Sequence, residues 1–137
     1  RMYLNYDGYH HGFGETSIQA VSTDQDRLAV YAAQRGMDAA LTLMIINKTG
    51  ADLVSPVALT NFDPASSAQV YRYSAQDLTR IIRQPDQPVS STGFTATYPA
   101  NTITLVVIPP LIPPQQTYLP AVLKGLPRSQ RFKSTNP

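Results

Sequence analysis

The sequence predicts an all-β protein, an antiparallel β-sandwich of about eight short strands followed by an extended, proline-rich C-terminal tail. Two observations carry this reading. Residues 28–34 and 39–48 are two apolar runs, alternating with period 2 and separated by Arg35-Gly36-Met37-Asp38, as expected for a hairpin. Further short runs rich in Val, Ile, Thr and Tyr follow at close spacing, each bounded by Gly, Pro, Asn or Asp. The second run of the hairpin is apolar on both faces, so it is expected at the centre of a sheet with both sides covered.

In chain order, residues 1–6 (RMYLNY) read as a strand or the last turn of a helix. Residues 7–14 carry three glycines and form a loop. A strand is expected over 16–22, then the central hairpin, then a strand over 52–60. Pro56 lies inside that strand and donates no ladder hydrogen bond, so the strand belongs at an edge or a bulge. Residues 68–73 form a strand with Tyr71 and Tyr73 on one face. Ser74-Ala75-Gln76-Asp77 fits a capping pattern and predicts one helical turn over 75–79. Residues 81–88 read as irregular or a short extended piece, because Pro85 interrupts them. Strands are predicted over 93–98 and 102–108, with Pro109-Pro110 ending the second. In this reading the inward face comprises Leu28, Val30, Leu41, Leu43 and Ile45, with Ile103, Leu105 and Val107. Beyond Pro110 the tail is proline-rich, then apolar, then basic.

A chain of 137 residues supports one domain with a modest core. Only 15% of its residues are charged, where about a quarter is usual, and this balance suits an exported β-protein, extracellular or at the cell surface. All nine carboxylates lie at or before Asp86, and the four later charges are basic. Four spaced cations keep a terminus soluble and give no basis for nucleic-acid binding. There is no cysteine, which removes disulfides, thiolate metal sites and a thiol nucleophile. No apolar run approaches the ~20 residues of a membrane-spanning helix.

Glycoside hydrolysis usually requires two carboxyl groups about 5–10 Å apart. Here there are one glutamate and eight aspartates, the latter mostly in turns. His10-His11 beside Asp7 falls short of the three or four ligands of a zinc site, so no metal or cofactor is expected. Exposed aromatics offer a stacking platform for sugar rings, and Tyr9, Phe13, Tyr71 and Tyr73 are the candidate contacts. Tyr31, Met44 and Ile46 are apolar residues on the outward face of the hairpin. With Tyr118, Leu119, Val122 and Leu123 of the tail, they are the candidate interface residues.

Several segments together resemble one family. RMYLNYDG, FGETSIQAVSTDQDRLAVYAAQR, ALTLMIINKT, AQVYRYSAQDLTRIIRQPD and FTATYPANTITLVVIPP are similar, in order over about residues 1–110, to the C-terminal β-domain of glycoside hydrolase family 44, endo-β-glucanases and xyloglucanases. The resemblance implies a parent chain in which a (β/α)8 barrel carries both catalytic glutamates and the sandwich carries none. It implies that residues 1–14 leave the barrel and 15–109 form the sandwich; residues 110–137, which depart from the family's simplest form, read from their composition as a Pro-rich linker and basic tail. It also implies that a strand from before the barrel completes the sandwich, so that the isolated piece has an open sheet edge prone to self-association. The expected function is a non-catalytic accessory domain of a secreted β-glucan hydrolase, with the barrel as partner. The alternatives are a carbohydrate-binding module contacting polysaccharide, or an assembly subunit whose tail docks on a neighbour.

Overall fold

The structure is a computed structural model that describes residues 5–75 and 77–112. The tail beyond Ile112, with Tyr118, Leu119, Val122 and Leu123, lies outside the described residues. Among the described residues there are eight strands: β1 (Thr16–Ile18), β2 (Leu28–Gln34), β3 (Leu41–Asn47), β4 (Leu53–Ala58), β5 (Ser67–Ser74), β6 (Asp77–Pro88), β7 (Gly93–Tyr98) and β8 (Thr102–Ile108). They form two antiparallel sheets, one in the order β1-β2-β3-β8-β5-β6 and the other pairing β4 with β7. The all-β sandwich expected from the sequence is the fold observed.

The hairpin β2–β3 pairs Leu28 with Asn47 through Gln34 with Leu41. Its loop closes through Arg35 N–H on Ala40 O and Ala39 N–H on Arg35 O, both 3.0 Å, with Ala39 at φ 59°. That left-handed residue breaks the ladder, so β3 starts at Leu41 rather than at 39. β3 is central, flanked by β2 and β8, and is buried everywhere but Ile46.

Between the sheets, Leu41, Leu43 and Ile45 pack with Val106 and Ile108 of β8 and with Phe94 and Tyr98 of β7. Leu28 and Val30 pack against this core from the rim. The β8 face differs from the sequence reading. Ile103, Leu105 and Val107 pair with Ile46, Met44 and Thr42, so they lie on the opposite face of the sheet. Thr104 and Val106 take the inner positions because register fixes parity.

Three other expectations are corrected. The helical turn over 75–79 is absent: Ser74 pairs with Asp77, and Thr79 already lies in β6. Residues 81–88 are the last eight residues of this twelve-residue strand. β6 ends the large sheet, and its register against β5 shifts between Ala68 and Val70. Pro85 falls in that shifted stretch, where no ladder donor is required. β1 spans three exposed residues rather than 16–22. Pro56 sits in β4, which among the described residues pairs only with β7 and leaves its other edge open.

Candidate functional site

The candidate aromatics do not converge. Phe13 is 6% exposed and packs with Tyr6, Met44 and Leu105 on the outer face of the large sheet, so it offers no ring to a sugar. Tyr71 meets Tyr6 in a T-shaped contact, with ring centroids 4.8 Å apart, and carries the Arg83 guanidinium 5.4 Å over its own ring. Both contacts occupy surface that stacking on a saccharide would need. The Tyr73 hydroxyl donates to Leu78 O at 2.7 Å. Tyr9 alone of the four is freely exposed, at 81%.

Of the interface candidates, Met44 is 4% exposed and is corrected to a core position. The chain covers this residue itself, by bringing Tyr6 and Phe13 of the N-terminal loop onto the outer face. Arg35 fastens that loop. Its Nη1 donates to Tyr6 Oη at 2.6 Å and to Gly12 O at 3.3 Å, while Nε and Nη2 fork onto the Asp38 carboxylate at 3.1 and 2.7 Å. Burial lowers the Arg35 pKa, but Asp38 and Tyr6 outweigh it and the net direction is upward. Thr42 Oγ1 adds a bond to Phe13 O. Within the loop, His11 Nδ1 meets Asp7 Oδ2 at 2.5 Å. Burial raises the Asp7 pKa, yet the bonds from Tyr9 N–H and His11 prevail and hold it below its ordinary value. Among the described residues no cluster of three metal-ligating side chains forms.

What remains of the outer face is a half-buried apolar strip: Ile46 of β3, Ile103 of β8, Tyr73 of β5 and Ile81 of β6. Tyr31 stands beside it, 46% exposed. Sequence reading found Tyr31, Ile46 and Tyr73; it missed Ile81 and Ile103 by misjudging β6 and the parity of β8.

A groove of about 580 Å³ runs along the open edge of β4. All six residues of β4 line one wall, and Leu28, Val30, Leu43 and Ile45 form the floor. The strand's unpaired backbone groups and an apolar floor suit an added β-strand.

The described residues define an all-β domain of two antiparallel sheets. No family model and no curated protein sequence matches the chain. Solved structures do. CelM2, a bifunctional glucanase-xylanase from a metagenome library, is 36% identical with a TM-score of 0.76, over 80% of this chain and 21% of that one. A family 44 xyloglucanase of Paenibacillus polymyxa is 26% identical, TM-score 0.73, over 79% and 21%. The family 44 endoglucanase of Clostridium acetobutylium ATCC 824 shares the fold at 22% identity, TM-score 0.74, over 79% and 22%. The chain is a β-sandwich similar to a domain of these glycoside hydrolase structures, two of them of family 44, and it spans about a fifth of their length.

Proposed function

We propose that this chain is a non-catalytic accessory domain of a secreted glycoside hydrolase acting on β-glucans, stabilising a (β/α)8 catalytic domain of the same polypeptide. The observation that carries the proposal is the open β4 edge above an apolar groove, in a domain whose relatives are about five times longer. An extended segment from elsewhere in the parent chain pairs with β4 and buries the floor. The strip of Ile46, Ile103, Tyr73 and Ile81 packs on the catalytic domain. Several carboxylates are already committed to the fold, which further supports a non-catalytic role. Asp7 holds His11, Asp38 holds Arg35, Asp86 holds Arg83 and Asp52 accepts Ala100 N–H.

The test has two readouts on the 137-residue chain. Neither hydrolysis of β-glucan, xyloglucan or xylan nor retardation in gels containing these polymers is expected. Hydrolysis overturns the proposal outright. Retardation without hydrolysis, lost on Tyr9→Ala, transfers the role to carbohydrate binding.

A further inference from the structure

The sandwich has a second opening, between the free edge of β7 and the β5–β6 hairpin. Val70, Phe94 and Val106 line it together with the polar residues Arg72, Tyr98 and Thr104. Its volume is about 150 Å³. A water in the liquid occupies about 30 Å³, so the cleft has room for one small polyatomic ligand.

Two groups here lack what their chemistry requires. Tyr98 is 1% exposed, yet its hydroxyl has no hydrogen-bond partner. A buried hydroxyl in that state is uncommon and calls for an explanation. Arg72 lies on the inner face of β5, where Nε donates to Thr104 Oγ1 at 3.1 Å. Among the described residues no carboxylate pairs with it, unlike Arg35 and Arg83. Burial lowers its pKa, and Tyr98 is the one neighbour that offsets this. Burial also pushes the Tyr98 hydroxyl up to about 12, so at neutral pH it stays protonated and can donate. The Thr104 hydroxyl, accepting from Arg72, keeps its own proton to give.

We propose that this cleft binds a carboxylate, held by the Arg72 guanidinium and the Tyr98 hydroxyl. A half-buried cation without a counter-ion and a buried donor without an acceptor are satisfied together by a ligand that is anionic and accepts only. A planar carboxylate matches the fork of a guanidinium. The carboxylate belongs either to a free small acid or to an Asp or Glu side chain inserted by another segment of the parent polypeptide. Only the second source rests on the family reading above.

Sodium acetate, titrated into the chain at ionic strength held constant with chloride, is the direct probe. Saturable NMR shifts at the Arg72 Nε–H, the Tyr98 ring and Thr104 are expected, with a rise in Tm that chloride does not give. Arg72→Gln should weaken acetate binding about tenfold or more, the range expected for a charge-assisted bond. Tyr98→Phe removes the unpaired hydroxyl, so it should fold without acetate at least as stably as the parent and lose most of the acetate response. Shifts that never saturate, or acetate affinity unchanged in both variants, would overturn the proposal. In the longer polypeptide, an Arg72 signal already at its acetate-bound position and insensitive to acetate identifies an inserted side chain. A signal that still titrates identifies a free acid.

Discussion

Replacing Gly93 with alanine is expected to destabilise the chain by more than about 3 kcal/mol. Gly93 opens β7 at φ 138°, a region essentially closed to residues with a side chain. A Cβ built there falls 1.8 Å from Val57 O and 2.9 Å from Val57 C, both backbone atoms of the paired strand. No rotamer relieves a clash with backbone, so β4 must separate from β7 at the Ala58–Gly93 pair. Loss of that pair exposes Phe94 to solvent and loosens the lid over Leu43 and Ile45. Urea denaturation followed by circular dichroism measures the change. A midpoint corresponding to a loss below about 1 kcal/mol would mean that the β4–β7 pair contributes little to the folded state.

Asn47→Ala is expected to cost about 3–5 kcal/mol. The side chain is fully buried at the end of β3, where Nδ2 lies 2.9 Å from Ala51 O, 2.8 Å from Tyr98 O and 3.1 Å from Pro99 O. Oδ1 accepts the Thr49 N–H at 2.9 Å. One amide thus joins the end of the central strand to the turns before β4 and after β7. Truncation leaves these carbonyls facing a void, each an unpaired buried group. Asn47→Asp should be no better, since it turns a donor into an acceptor facing other acceptors. Denaturant midpoints of both variants supply the stability check.

The parts of this fold written in local pattern were readable from sequence. The β2–β3 hairpin declares itself through alternation, and Pro56 correctly marked an edge strand. The parity of β8 was not readable, because TITLVVI is apolar at both odd and even positions and only its pairing with β3 decides which side faces inward. The hairpin joining β5 and β6 was missed for a different reason. Ser74 and Asp77 have the spacing of a helix cap, yet their side of the chain is already committed to strand pairing, and the Tyr73 hydroxyl reaches across to Leu78 O. Tertiary pairing overrode a weak local preference.

The candidate site was less legible than the fold. Tyr9, Phe13, Tyr71 and Tyr73 were chosen for residue type, whereas availability depends on partners far along the chain. Phe13 is enclosed because Arg35, 29 residues beyond Tyr6, draws the N-terminal loop onto the sheet. Arg72 and Tyr98 face one cleft from strands in different sheets, and nothing in their local sequences links them. Non-local charge placement of this kind leaves no periodic trace.

The accessory role itself is tested most directly by calorimetry on the longer polypeptide, with and without residues 15–109. If the sandwich supports the catalytic domain, deletion should lower the Tm of that domain by more than about 5 °C or leave it insoluble. A catalytic domain with unchanged Tm, solubility and activity after deletion would contradict the role proposed for this chain.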